Sequence, residues 1–579
     1  MQHITHWSKI LAATSLIAGL AACGGGGGGG STLPHTPTPS PSTAPTTSPA
    51  VVFNDYTTFG YDNQHDVFNP NSTAITPASV PAIHLAWQAE LGGSGGDFNT
   101  QTQPILATEI PGHAGVLFVG GASGNVYAFD ALTGVSMWTT FVGQEATQTC
   151  GTGISDWGIG GTAAYDPATK SLYIVGNVNG DVPSVYPNNA LFHLDGATGK
   201  ILGQVNVTPS PLPGESNFAH TAVTLHNGTA YIGTGTNCDY SSWRGRVVSV
   251  NVPSMTIANT FFTVWDPNNT RGQGAQPWSG GGVWGWGGVT LDTNGNVLTG
   301  VGNTDNGQNN GTVQPPFVAA PLEYGGYGEA LLELSPDLST ALASNHPIAP
   351  TIYGGASTDL DVQGTPIVFH QNGAGCSPVA AIQDKAGMLS IFNETTINSG
   401  PIAQYSMAPS DYSDSALGGP AYSPATGLLY ANVSSSTAPS LFAPGLIAIN
   451  AGCGTPSVTW RAAFGPDSTA AAIQRGMPAP SAGGILLAET AQGPASSSGS
   501  LWAINASTGS VLNGGVPLFQ TSGNLRMAPT IDGNWIFVLD NNGNLYGLTI
   551  DPKYKAITAI RRAANSRQRI RWFTNTHHT

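Results

Sequence analysis

From about residue 84 onward, short stretches of alternating apolar and polar residues follow one another, cut by Gly, Asn, Asp and Pro, with no long 3.6-residue period among them. The pattern predicts β-strands joined by turns. Its clearest unit is Val116-Leu-Phe-Val-Gly-Gly-Ala-Ser-Gly-Asn-Val-Tyr-Ala-Phe-Asp130-Ala-Leu-Thr-Gly134-Val-Ser-Met-Trp138. It reads as strand, Gly-Asn hairpin, strand, Asp-x-x-Thr-Gly turn, and a strand ending in Trp. Gly-Asn supplies the positive φ values of a tight hairpin. The Asp carboxylate can accept from backbone N–H groups two and three residues on, and Gly134 then takes the left-handed position.

The unit returns as Leu191-Phe-His-Leu-Asp195-Gly-Ala-Thr-Gly199, Val247-Val-Ser-Val-Asn251, Ala330-Leu-Leu-Glu-Leu-Ser335 and Leu389-Ser-Ile-Phe-Asn393. Leu446-Ile-Ala-Ile-Asn450, Leu501-Trp-Ala-Ile-Asn505-Ala-Ser-Thr-Gly509 and Asn544-Leu-Tyr-Gly-Leu complete eight copies. Their spacing, roughly 45–85 residues, suits four-stranded blades with loop insertions. The expected fold is all-β, an eight-bladed β-propeller over residues 51–550. Trp87, in His84-Leu-Ala-Trp-Gln, is expected in an outer strand that closes the last blade against the first, because ring closure removes sheet edges.

Composition narrows the picture. The chain has 579 residues, 77 Gly, 42 Pro and 8% charged residues, too few Glu, Lys and Arg for a helical bundle. At 40% apolar residues it can bury a large core. Before the repeats, Ile10 to Ala22 is apolar but too short to span a bilayer stably, and it ends in Leu20-Ala-Ala-Cys23. This resembles a bacterial lipoprotein signal, with residues 1–22 removed and Cys23 acylated; an ordinary secretory signal is the alternative. Residues 23–50 continue as a Gly run and Ser/Thr/Pro repeats, a tether. An envelope location, outer membrane on the periplasmic or surface side, with the lipid as the only membrane contact, follows from that reading.

Seven of the 17 basic residues lie after residue 550, where Asp551 is the only acid, so residues 1–550 carry 10 basic against 31 acidic residues. That body should repel nucleic acid. The stretch 551–579 reads as a basic, solvated tail. Cys150, Cys238, Cys376 and Cys453 permit two disulfides in any of three pairings. None forms a CxxC or CxxCH, so a zinc knuckle or attached haem is not expected.

The repeat resembles the tryptophan-docking unit of quinoprotein (PQQ-like) β-propellers, with only Trp138 and Trp460 near the docking position, and the opening Tyr56-Thr-Thr-Phe-Gly-Tyr-Asp62 fits that family too. The middle of the chain is similar to quinoprotein alcohol dehydrogenases, polyvinyl-alcohol dehydrogenase among them. Gly235-Thr-Asn-Cys-Asp239-Tyr-Ser-Ser-Trp-Arg244-Gly resembles the segment supplying an acidic calcium ligand before an Arg-Gly, though the acid is one residue out of step. Val283-Trp284-Gly-Trp286, then Asp292 and Gly302-Asn303, resembles the segment giving an aromatic floor and a second calcium ligand; by spacing, Trp286 matches the floor better than Trp284. Thr358-Asp359-Leu-Asp361 resembles the segment with the catalytic base, and Gln383-Asp-Lys385-Ala-Gly the hairpin whose cation reaches the quinone oxygens.

The resemblance implies PQQ and Ca²⁺ as cofactors. Calcium favours oxygen donors such as Asp239 and Asn303. A carboxylate at Asp359 or Asp361 can take an alcohol proton, Lys385 can stabilise developing charge, Arg244 can face cofactor carboxylates, and a Trp face stacks on a planar ring. The substrate would be a small alcohol or polymer, with electrons leaving to a separate acceptor.

Two departures count against it. The family's adjacent Cys-Cys pair is absent around Cys150, and the nearby Arg is replaced by Gly. Simpler roles also stand: Asp292-Thr-Asn-Gly-Asn296 and Asp540-Asn-Asn-Gly-Asn544 as hairpin turns, the tryptophans as packing, Asp359 and Asp361 as turn caps, Lys385 as a solvated residue. The alternative function is a non-catalytic scaffold for envelope proteins, an outer-membrane-assembly-like factor or an adhesin. Gly92-Gly-Ser94-Gly-Gly96 fits GxSxG but has no following helix, and the glycine strings at Gly158 and Gly285 lack a βαβ setting.

Overall fold

The chain divides into two units, 1–50 and 51–579. A computed structural model describes residues 51–554, apart from 93–96, 98–99, 144–157, 179–187, 210–216, 237–243, 265–279, 303–326, 347–361, 363, 372–374, 385–387, 407–418, 434–444, 464–476 and 492–497. These residues form eight four-stranded antiparallel sheets. In chain order, blades 1 to 7 span 105–141, 164–206, 224–262, 290–345, 367–406, 421–462 and 479–520. Blade 8 holds Thr530–Asp532, Trp535–Leu539 and Asn544–Thr549, and its fourth strand is His84–Glu90 from the start of the chain. Trp87 pairs with Gly547 in that strand, so the expected closure is present.

The period-two pattern explains the layering. The second and third strands of most blades are buried on both faces, because each sheet packs between two neighbours. Fourth strands such as Ser136–Phe141 and Ile201–Asn206 are half exposed.

Three tryptophans dock one blade on the next in the same way. Trp87 Nε1 donates to the Ala131 carbonyl, Trp138 Nε1 to Gly196, and Trp460 Nε1 to Ala506. Each carbonyl belongs to the Asp/Asn-x-x-Thr-Gly turn of the following blade. At the turn's end Gly134 has φ +61° and lies so close to Trp87 that a Cβ would come within 2.4 Å of its ring. Trp87 is thus a third docking tryptophan, at the ring's closure.

The axis is filled from one end by residues 53–75, which touch the inner edge of every blade, blades 1 to 6 in chain order and then blades 8 and 7. Tyr56 and Leu106 exchange backbone hydrogen bonds in blade 1, and Tyr165 N–H donates to Thr57 O in blade 2. Asn63 Nδ2 donates to Leu225 O in blade 3. The N–H groups of Leu291, Val368 and Tyr422, in blades 4, 5 and 6, donate to the carbonyls of Asn63, Gln64 and Asp66 at 2.8, 3.1 and 3.0 Å. Ser72 O accepts from Gly483 in blade 7, and Asn69 Nδ2 donates to Ile531 O in blade 8. This strap pairs edges that ring closure alone leaves open. It lies at the ends of the inner strands that lead into the first hairpin turn, so the long connections all open on the opposite face, the loop face.

Candidate functional site

The antiparallel order of each blade puts two kinds of connection on the loop face: those between second and third strands, and those entering the next blade. The segments carrying the sequence-predicted residues are all of these kinds, in blades 3 to 5. Asp239, Asn303, Asp359, Asp361 and Lys385 lie outside the described residues, as does Cys23. Their described neighbours are close in the chain's packing. Gly302 N–H donates to Gly282 O at 2.8 Å, joining the residue before Asn303 to the approach to Trp284. A Cβ at Gly300 would meet Val362 O, the residue after Asp361, at 2.4 Å. Asp384 N–H donates to Met388 O, and its carboxylate accepts from Met388 N–H, on either side of the segment that holds Lys385.

Of the described candidates, Arg244 is buried, bridged to Gly280, with its guanidinium 4.3 Å from the Phe262 ring centre. Arg246 lies 4.9 Å from the same ring and donates to Asn217 Oδ1 at 2.6 Å. Stacking on an aromatic face is a favourable setting for a buried guanidinium. The two tryptophans differ. Trp286 is 2% exposed and belongs to the apolar core that includes Phe59, Val67 and Ile367, while its carbonyl accepts from Ala222 N–H. Trp284 is 9% exposed and rests on glycine backbone: a Cβ at Gly235 or Gly282 would come within 2.7 Å of its ring.

Three features of the structure had no place in the sequence reading. His220, on the entry to blade 3, has its ring 4.1 Å from Phe218, and burial lowers its pKa to about 3, so it is a neutral imidazole. Phe218 in turn pairs with Gly235, beneath Trp284. His346, buried at the exit of blade 4, is lowered to about 4 by burial. The scattered histidines make no motif, so only the fold could bring them to this face. The third feature is a carboxyl trio on the opposite face, Asp292, Glu333 and Glu394, all buried. Asn296 Nδ2 bridges Asp292 Oδ2 at 2.9 Å and Glu333 Oε1 at 2.8 Å. Burial first, then a hydrogen bond to Asp292 and the charges of Asp292 and Glu333, raises Glu394 to about 8.

Asp292 and Asp540 are hairpin residues. Asp292 Oδ1 accepts from the N–H groups of Asn294 and Asn296, and Asp540 Oδ1 from those of Asn542 and Asn544. Among the described residues no group of three His, Cys, Asp or Glu side chains is placed to hold a metal ion.

The fold is an eight-bladed β-propeller, a fold that solved quinoprotein dehydrogenases share. Among solved structures, the quinohemoprotein alcohol dehydrogenase of Comamonas testosteroni matches with a TM-score of 0.60 at 16% identity, over 86% of this chain and 80% of that one. Quinohemoprotein alcohol dehydrogenase ADHIIG from Pseudomonas putida HK5 matches at 0.60 and 15% identity, with the same 86% and 80% coverage. A europium-containing methanol dehydrogenase matches at 0.57 and 14% identity, over 86% and 98%. At these identities the likeness is one of fold. The PQQ_2 family model, described as outer membrane protein assembly factor BamB, matches residues 84–254. No curated protein matches the chain.

Proposed function

We propose that this is an exported, lipid-anchored propeller whose loop face at blades 3 to 5 binds PQQ with calcium and oxidises an alcohol, small or polymeric. The observation that carries the reading is the close packing of Gly282 on Gly302 and of Gly300 on Val362, which flank candidate residues on successive connections around blade 4. The residues fit the cofactor in two respects. Trp284, backed by Gly235 and Gly282, is the ring suited to stack on a planar group; Trp286 is committed to the core below it. Arg244 and Arg246 bring two cations to blade 3 in a body with few, which suits a ligand with several carboxylates.

In this reading Asp239 and Asn303 hold calcium, Lys385 and Arg244 offset negative charge, and Asp361 or Asp359 takes the alcohol proton. When bound, the quinone would supply the two-electron acceptor. Electrons then pass to a separate carrier.

Titrating the purified protein with PQQ in millimolar calcium, while following tryptophan fluorescence and dye reduction with simple alcohols, tests the reading. Saturable quenching is expected, weakened about tenfold in Lys385→Ala, the equivalent of one charge-assisted contact. Asp361→Asn should bind PQQ normally and lose turnover. Absence of binding at high PQQ and calcium overturns the reading.

The second reading is a scaffold for envelope proteins. It is favoured by the match of residues 84–254 to the assembly-factor model and by the near-complete burial of both tryptophans, which leaves little ring face open. A protein that binds no PQQ yet cross-links reproducibly to one envelope protein through its loop face would establish it.

A further inference from the structure

The two ends of the described chain meet at one spot. Phe53, where the strap begins, and Tyr554, the last described residue, both pack on Trp535, with ring centres 6.1 and 4.9 Å from it. All three side chains are buried in one apolar cluster. Hydrogen bonds hold the same place: Asn54 N–H donates to Asp532 Oδ2 at 2.9 Å, and Ile550 N–H to Asn534 O at 3.3 Å. Asp532 and Asn534 belong to the first hairpin of blade 8, on the strap's side of the ring. Val52, just before Phe53, is 75% exposed. The chain thus enters and leaves the ring side by side, on the face opposite the loop face.

What leaves there differs in charge from everything before it. After Tyr554 the sequence carries Lys555, Arg561, Arg562, Arg567, Arg569 and Arg571 with no Asp or Glu, and Arg571 is followed by Trp572-Phe573. Residues 555–579 lie outside the described residues. The acids beside the exit already have partners. Asp532 accepts from Asn54 and Asn69, Asp55 accepts from Thr108, and Asp551 pairs with Lys553 at 3.4 Å. The cationic segment is therefore left for an anion outside the ring. Clustered Lys and Arg are attracted to anionic headgroups, and neighbouring aromatic residues favour the bilayer interface.

We propose that segment 555–573 docks on an anionic phospholipid bilayer, and that the propeller sits with its strap toward that bilayer and its loop face away. This adds a second membrane contact to the acyl group expected at Cys23, whose tether joins the ring at Val51, beside the same exit. One acyl signal and one basic segment together anchor more firmly than either alone. The choice of a bilayer over other polyanions rests on the lipid-anchor reading; the cationic exit on the strap's side does not.

Full-length Cys23→Ser protein, which cannot be acylated there, isolates the tail. In co-flotation it should bind vesicles with about 30% phosphatidylglycerol at least tenfold more tightly than pure phosphatidylcholine vesicles, and lose that preference in about 0.5 M salt. Arg561→Gln, with the same change at Arg562, Arg567, Arg569 and Arg571, should abolish the preference and leave the circular dichroism spectrum unchanged. A dye on Val52→Cys should be quenched by nitroxide-labelled lipid, whereas one on Phe141→Cys, at the loop-face end of a blade 1 strand, should not. Acyl analysis of the wild type tests the anchor separately, and an unacylated protein that passes the vesicle tests still supports the tail contact. Equal binding to both vesicles, a Gln variant that binds like its parent, or tighter binding to a DNA duplex than to the anionic vesicles overturns the proposal. Quenching at Phe141 rather than Val52 overturns the orientation.

Discussion

Glu394 keeps its proton where an ordinary carboxyl has lost it, because it is buried against Asp292 and Glu333 with only the Asn296 amide bridging that group. Its folded pKa of about 8 lies above the usual 4.5. Between those values the folded protein binds a proton that the unfolded chain releases, so this group's contribution to stability falls as pH rises from about 4.5 to 8 and is flat above. Glu394→Gln preserves the shape and the hydrogen bond to Asp292 while removing the ionisation. The expected result is a variant more stable than wild type by about 1–2 kcal/mol at pH 8 and equal to it near pH 4.5. Urea denaturation at four pH values measures this; parallel curves for the two proteins would place the Glu394 proton elsewhere.

At the scale of elements, the ring depends on how each blade docks on the next. Trp87 fills the junction between the last blade and the first, donating to Ala131 and lying on Gly134. Gly134→Ala puts a methyl into that ring and onto a left-handed backbone position, a combined penalty of about 2–4 kcal/mol. Chemical denaturation should register it, and Gly228→Ala, also left-handed but with only the Pro253 ring at 3.8 Å, should lose about 1 kcal/mol. Equal losses would mean that backbone strain, not tryptophan docking, decides the junction. The strands and these turns were legible because period two and the Asp-x-x-Thr-Gly chemistry repeat in local sequence. The third docking tryptophan was harder to read, since Trp87 stands ahead of the first repeat unit, in a strand whose partner strands lie at the far end of the repeats. The strap left almost no trace: it binds mostly through its own carbonyls, which any side chain permits. The candidate site was legible only as a series of segments. Spacing ranked Trp286 above Trp284, whereas packing commits Trp286 to the core; residue offsets carry no record of which ring meets Phe59. Asp239, Asn303, Asp359, Asp361 and Lys385 sit on insertions where the repeat no longer sets the register.

For the whole molecule, the disulfide ties fold to compartment. Cys376, in the first turn of blade 5, is bonded to Cys453, in the last turn of blade 6, with Cα atoms 5.3 Å apart and a sequence separation of 77. Of the three pairings open in the sequence, this leaves one partner arrangement for the remaining thiols, Cys150 with Cys238, both outside the described residues. A loop of that length restrains the unfolded chain by up to about 4 kcal/mol in the chain-entropy account. The blades themselves pack without it, so Cys376→Ala with Cys453→Ala should fold, keep its strand content and lose about 2–4 kcal/mol of stability. The bond also requires an oxidising compartment, which joins it to the signal-like segment ending at Cys23. Thiol trapping on protein taken directly from intact cells brings these together. Cys376 and Cys453 should resist alkylation until a reductant is added, and a peptide map should recover them as one linked species. Alkylation of both without reductant would remove the staple and the exported location in one result, because a chain retained in a reducing cytoplasm would hold these cysteines as thiols.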